Sequence, residues 1–430
     1  MATTFLGMRG TGDWQTDQRP KNWRQGILKL WPNGDMPLTG ILSKMSEEAT
    51  TDPEFNWWTK GLPTQAATIT GRYTDAALSS AYVSGGAIGS VLYFKMAEAD
   101  SLHFRAGHQV LLRCTTDYTL DVNGKVLTVV SNGASSYIAV KLLEADNNST
   151  SNYLAAADRM LVIGSINPEG GAMPDAIAYD PTKYYNYTQI FRTSLSITRT
   201  ARKTTLRTGD AYKDAKTDAL EMHGIEMEKA FIWGIPTEGT GSNGKPERTT
   251  GGLLYNIVNN GGTVSNFATQ TTFQNVTWLD AGEEWLDTQL EVIFRYGSQD
   301  RLAICGSGVI LQINKLIKEY GNYTFTPATK AYGINVKEWN TPFGTINLMT
   351  HPLFSYETTN RNTMVVLEPK DLKYRYIDDT TFYAEGDKQN TGRSRIDGTD
   401  EEWLTECGLE FHHPIKTALL NGFGQDNGTP

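Results

Sequence analysis

The chain has 430 residues, 39 of them Lys or Arg and 48 Asp or Glu, for a formal net charge of −9. That length suffices for two or three domains with a sizeable core. The charge excludes a generally basic nucleic-acid coat but leaves room for a local basic face.

No window carries the apolar run needed to span a bilayer, and the N-terminal stretch lacks the basic-then-apolar layout of a signal peptide. Cys114, Cys305 and Cys407 stand alone, without metal-type spacing, which suits a reducing compartment and argues against a disulfide framework. The sequons at Asn148, Asn275 and Asn322 are therefore expected to stay unmodified.

Residues 1–75 are poor in hydrophobic periodicity, yet Trp14, Trp23, Trp31, Trp57 and Trp58 are half of the chain's tryptophans. They read as an extended arm anchored on another surface, or as a tail tucked under its own domain. From Leu102 to Leu143 short strands follow: Gln109–Cys114, Lys125–Val130 and Tyr137–Leu142. Asn123-Gly124 and Asn132-Gly133 are the hairpin dipeptides, and the polar run Asp146–Ser151 is the exit. A Gly/Pro-rich crossing at Asn167–Gly171 leads to an alternating, β-branched strand over Gln189–Thr200.

That strand passes through a basic turn into one long helix. Asp210 is the expected N-cap, Gly234 the αL residue after the last turn, and Pro236 bars continuation. About 23 residues make a rod roughly 35 Å long. Asp214, Glu221 and Glu228 recur as an acidic stripe. Tyr212, Ala215, Ala219, Met222, Ala230 and Trp233 form a second face, and Leu220, Met227 and Phe231 a third. Apolar surface on two sides of an acidic stripe predicts a rod gripped from more than one direction. From periodicity alone, an ordinary core helix reads as well.

A Gly-rich loop then closes on Thr250-Gly251-Gly252-Leu253. Asp280-Ala-Gly-Glu283 is an Asp version of a capping box, before a helix whose face is Trp285, Leu286, Leu290, Ile293 and Phe294, closed at Gly297. Leu302–Cys305 is a short buried strand. Ser307 is placed to cap a second helix with the stripe Ile310, Ile313, Ile317 and Tyr320, stopping at Gly321. Strands at Gly344–Met349 and Met364–Leu367 follow, and Trp403 to about Lys416 supplies a last one.

Candidate chemistry is thin. Gly239-Thr-Gly-Ser-Asn-Gly244-Lys245 fits phosphate-loop spacing up to its lysine, but Pro246 stands where a hydroxyl is required, and the loop follows a helix rather than a strand. Gly306-Ser307-Gly308 lacks the five-residue nucleophile-elbow pattern. His412 and His413, as strand neighbours, point to opposite faces and serve one metal poorly. Asp378, Asp379, Glu385 and Asp387 form a carboxylate-rich loop without calcium-ligand spacing. Each of these reads as solvated surface. The basic run Arg192, Arg199, Arg202, Lys203 and Arg207 has no acid within it; DNA phosphate, an acidic face of an adjacent copy, or solvent would neutralise it. No catalytic, cofactor-binding or metal-binding residue is assigned, and no cofactor is expected.

The order of strand, basic turn, long helix and Gly-rich loop resembles the elongation loop and spine helix of tailed-bacteriophage major capsid proteins. The wording "YKDAKTDALEMHGIEMEKAFIWG" followed by "TTGGL", and "RLAICGS" between two helices, is similar to one subfamily of them. The resemblance covers about residues 183–420; before that only the layout matches. It implies an α+β capsid fold: an N-terminal arm (1–75), an elongation loop with a β-rich insertion (76–205), and a peripheral domain with the spine helix (206–250). An axial domain (251–394) and a return strand (395–430) complete it. It implies a non-enzymatic protein that self-assembles into pentamers and hexamers of an icosahedral virion shell around double-stranded DNA. Assembly would take place in the host cytoplasm, with scaffolding, portal and decoration proteins as partners and no membrane. An encapsulin-like compartment is the alternative, and a hydrolase with a β accessory module a more distant one.

Overall fold

A computed structural model describes residues 47–428, apart from 62, 64, 117–120, 147–153, 205–209, 321–324, 332–333 and 385–397; of 320, 325–331 and 334–337 only the backbone is described. The expectations for Trp14, Trp23, Trp31, Arg207, Gly321, Glu385, Asp387, the sequons at Asn148 and Asn322, and most of the polar exit after Asp146 lie outside the described residues. The chain divides into two compact units: one closes at Trp57 and resumes at Lys183, and the other runs Trp58–Thr182.

The second unit is a β-barrel. Its strands follow the order Ala66–Thr68, Arg159–Ser165, His108–Arg113, Asp121–Val130, Tyr137–Leu142, Val91–Lys95, Gly71–Tyr73. The first and last members of that order are consecutive in sequence. Between them Ile69 N donates to Asp158 O (2.7 Å) and Thr70 N to Lys95 O (2.8 Å). One kinked strand therefore reaches both ends of the sheet and closes it, which removes the sheet edges. Strict alternation fills the interior with Leu92, Phe94, Val110, Leu112, Val122, Val126, Ile138, Val140 and Leu142, all buried. Burying each such side chain contributes about 1.5–3 kcal/mol.

Asn132-Gly133 makes its predicted turn, with Gly133 at φ +50°. Asn123-Gly124 does not. Both residues lie inside the strand Asp121–Val130, where Gly124 pairs with Val110 on one side and Leu142 on the other. A Cβ at Gly124 would run into Val140 Cγ1, so this glycine serves close packing in the barrel and not a turn.

In the first unit, a mixed seven-stranded sheet has the order Thr263–Asn266, Ala418–Asn421, Met364–Leu367, Asp300–Cys305, Gly344–Thr350, Ile334–Thr341, Phe325–Ala331. Its central strands are buried on both faces. Ala303, Cys305, Met364, Val366, Ile346 and Leu348 join one core, with Trp285, Leu290, Ile293, Val309 and Ile313 of the helices Trp278–Phe294 and Ser307–Tyr320. Leu302, Ile304, Val365, Leu367 and Met349 face a second core, with Met227, Phe231, Leu253 and Phe354. That is why these strands read as unbroken apolar runs. The short strand Ala418–Asn421 shows that the tail reaches this sheet.

Three helix termini differ from expectation. Thr277, not Asp280, caps the helix Trp278–Phe294: its Oγ1 accepts Asp280 N at 3.3 Å, which puts Asp280 at the third helical position. Ser307 is the first helical residue and not the cap, and its amide donates to Ser355 Oγ (3.2 Å). Gly234 is not in the αL region, with φ −58° and ψ 151°. It is glycine for another reason: a Cβ there would press into both Ala230 O and Thr250 O.

Candidate functional site

The long helix Ala211–Trp233 and the sheet that receives it are where the resemblance is most specific. Asp210 Oδ1 accepts Tyr212 N (2.9 Å), as expected of the cap. Beneath the helix lies a four-stranded sheet in the order Glu47–Ala49, Leu372–Tyr383, Gly398–Phe411, Gln189–Thr198. The helix buries Ala219, His223, Met227 and Phe231, a single i, i+4 stripe, together with Glu228 and Ile232. Leu220 and Met222 are 40% and 57% exposed. The grip expected from two apolar faces is thus replaced, within one subunit, by burial along one stripe and its flank.

Two histidines complete that packing. His223 lies between Thr193 Oγ1 (3.0 Å from Nδ1) and Thr405 Oγ1 (2.8 Å from Nε2), so it pins the helix to two strands at once. Burial pushes its pKa below the usual histidine value, with Glu226 acting weakly the other way. His351 Nδ1 accepts Leu353 N (3.1 Å), which leaves Nε2 as the protonated nitrogen, donating to Glu228 Oε1 at 2.7 Å. Glu228 is therefore not part of a solvated acidic stripe. It is wholly buried and bonded. The sequence signal was there for His223, which stands four residues after Ala219 and four before Met227, but counting it as polar hid it.

The TTGG segment seals the helix end. Gly252 N donates to Gly234 O (2.8 Å), Asn186 Nδ2 to Gly251 O (2.9 Å), and Gly251 N to Asn186 Oδ1 (2.7 Å). A Cβ on Gly252 would lie 2.8 Å from the carbonyl oxygens of Ala230 and Phe231. Two glycines are needed because two backbones touch.

The other candidates resolve as structure. Gly239–Lys245 is the tip of an exposed hairpin, Thr237–Thr240 with Pro246–Thr249. Its amides turn inward: Gly241 N to Lys245 O (2.8 Å), Gly244 N to Gly241 O (2.9 Å), Lys245 N to Asn243 Oδ1 (3.0 Å), leaving no cradle for phosphate. Asp378 and Asp379 lie not in a loop but in the bulged strand Leu372–Tyr383, and Asp379 accepts Thr380 N (2.7 Å). His412 bonds Glu410 and stacks on Trp57, 6.1 Å between ring centroids, while His413 turns away with φ +46°. Among the described residues no group of three or more His, Cys, Asp or Glu could hold a metal ion. None of their helices is long and apolar enough to cross a membrane.

The basic run is partly neutralised within the chain. Arg192 pairs with Glu402 through two nitrogens (2.7 and 3.0 Å), and Arg202 lies 4.5 Å over the Tyr212 ring and donates to Thr399 Oγ1. Deep in the unit, Arg301 meets Glu368 at 2.7 Å while Lys416 meets Asp371 at 2.9 Å. Burial pushes the Glu368 carboxyl up, but Arg301 and Lys416 outweigh it and hold the group below its usual range. Two cations against two carboxylates form a balanced bracket. Cys114, Cys305 and Cys407 are buried thiols outside any disulfide, and burial pushes the Cys407 thiol up to about 12, which makes it inert.

Comparison with known proteins agrees with the motif reading. Residues 7–424 match the SU10 major capsid protein family. The major capsid protein of Pseudomonas phage PaMx41 is 23% identical over 415 residues, 94% of this chain and 92% of that one. Among solved structures, the capsid of a native GTA particle aligns with TM-score 0.42 and 7% identity over 95% of this chain and 96% of its own. The SrpI encapsulin of Synechococcus elongatus PCC 7942 aligns with TM-score 0.38 and 13% identity over 59% and 78%.

Proposed function

We infer that this chain, which belongs to the SU10 major capsid protein family, works by association: copies of it join into pentamers and hexamers of an icosahedral shell around double-stranded DNA. The observation that carries this reading is the family match, which runs through both units. The folded subunit supports it. Its buried Arg301–Glu368 and Lys416–Asp371 pairs are satisfied internally, and among the described residues the candidate nucleotide and metal motifs resolve as structural contacts. The protein is read as a structural subunit and not as an enzyme.

In the terms of that family, the expected bounds are adjusted: the arm of 1–75 gives up the barrel strands Ala66–Thr68 and Gly71–Tyr73 to the β-rich insertion of the elongation loop (76–205), and the axial domain (251–394) gives up Leu372–Tyr383 to the peripheral domain (206–250 with 395–430). Each subunit lends its arm and loop to neighbours, so many modest interfaces add up through geometry. Scaffolding and portal proteins, with decoration proteins beside them, are the partners proposed for it, and the virion, assembled in the host cytoplasm, is its proposed location. The encapsulin alternative gains no specific support.

Sedimentation and negative-stain microscopy of the purified protein, alone and with its scaffold, test the proposal. Capsomers, shells, tubes or sheets are expected. A monomer at every concentration and salt would overturn it.

A further inference from the structure

Four neighbouring strands of the barrel place tyrosines and lysines side by side on outward positions. In register, Tyr73 lies opposite Tyr93, Lys95 opposite Tyr137, and Lys125 opposite Lys141. The Tyr93 and Tyr137 rings meet edge to face with centroids 5.6 Å apart. Two lysines directly across an antiparallel pair repel each other. The carboxylates that the same strands bring near are already engaged: Asp121 holds Arg113 (2.7 and 2.8 Å), and Glu144 accepts Asn123 Nδ2 (2.7 Å). Among the described residues, none forms an ion pair with Lys95, Lys125 or Lys141. Aromatic surface fringed by uncompensated cations, on a chain of net charge −9, asks for an acidic counterpart.

An opposite imbalance lies on the helix Trp278–Phe294. It carries Asp280, Glu283, Glu284, Asp287 and Glu291 and has no Lys or Arg. Asp280 is tied to the cap Thr277, and Glu291 is taken by Arg295 (2.7 and 2.8 Å). Among the described residues, none forms an ion pair with Glu283, Glu284 or Asp287. Glu283 and Asp287 stand one turn apart, a repulsive spacing. Burial, with Glu283 beside it, holds the Asp287 carboxyl above its usual range. The helix packs into its own core through Trp285, Leu286, Leu290 and Ile293, so these carboxylates belong to its other side.

We propose that the Tyr–Lys face of the barrel in one copy docks on the acidic side of the helix Trp278–Phe294 in a second copy. Three lysines meet three carboxylates, and Tyr73, Tyr93 and Tyr137 supply rigid contact area of the kind favoured at interfaces. The proposal rests on the self-association proposed above and deepens it by naming one surface.

The test uses full-length protein. Wild type must sediment as capsomers or shells; if it does not, the self-association reading falls, and this inference with it. Given wild-type assembly, Lys125→Glu with Lys141→Glu in one variant, and Glu283→Lys with Asp287→Lys in another, should each melt as wild type does and fail to form shells. Mixing the two variants restores opposite charges only at contacts between unlike copies. The mixture should raise the sedimenting fraction about tenfold over either variant alone. Should a reversal lower the melting temperature, Lys125→Gln with Lys141→Gln replaces it; this variant should assemble less well and depend less on salt than wild type. Shells from either reversal variant alone, no gain on mixing, or an unchanged salt dependence would each overturn the docking contact. Lysine variants that assemble normally but retain less nucleic acid would also overturn it and assign the face to DNA.

Discussion

Among single residues, His223 couples packing to pH. Its imidazole bridges two threonines in the neutral form, and burial depresses its pKa below the unfolded value. A depressed histidine contributes stability that is intact above the unfolded value of about 6.5 and is eroded as pH falls below it toward the folded value, because the unfolded chain then binds the extra proton. The melting temperature should fall on acidification through that window, and His223→Gln should flatten the fall. His108 in the barrel is shifted the same way, by burial and by Arg105, so the variant removes only part of the slope. An unchanged slope in differential scanning calorimetry would mean that His223 carries no such linkage. The glycines of this region were legible only in part. Gly234 and Gly252 were recognisable as special, but periodicity could not say that carbonyl contact rather than φ demands them.

At the level of elements, the long helix buries one stripe against the four-stranded sheet and its flank, through Glu228 and Trp233, against His351 and Phe354, and that sharpens the choice of variant. Ala219 lies in the stripe, so Ala219→Pro removes a backbone hydrogen bond and crowds the preceding turn where the helix meets the sheet. A loss of about 3 kcal/mol or more is expected, read as insoluble expression or a collapsed urea midpoint. A soluble variant with the wild-type midpoint would show that this segment is not a continuous helix.

The elements best legible in the sequence were those with local punctuation: Asp210 before the long helix, the alternating strand Gln189–Thr198, the turn at Gly133. Legibility failed where tertiary contact overrode local rules. Asn123-Gly124 has the chemistry of a hairpin but sits where the barrel wall is tightest. Thr277 captures the cap from Asp280 because its hydroxyl reaches the third helical amide. The stripe containing His223 and Glu228 escaped because partners far along the chain, Thr405 and His351, make polar side chains welcome inside.

At the level of the molecule, the two units have separate cores, and the strands Glu54–Thr59 and Thr182–Tyr187 pair, which brings the ends of the barrel segment together. Removing Gln109 to Leu142 alone would cut three strands from a closed barrel. Replacing 58–182 with a short Gly/Ser linker should instead leave a unit that melts cooperatively by circular dichroism. A broad, non-cooperative melt would show that the remaining unit depends on the barrel. The same separation bears on the order of events during synthesis. The barrel is contiguous in sequence and is complete once residue 165 has left the ribosome. The four-stranded sheet draws its members from Glu47, Gln189, Leu372 and Gly398 onward, so its two central strands, Leu372–Tyr383 and Gly398–Phe411, are the last of the four to be made. Such long-range pairing is slow and cannot begin early. A nascent chain therefore carries a finished barrel long before it has the platform for its long helix, and that helix must wait for the strands Leu372–Tyr383 and Gly398–Phe411.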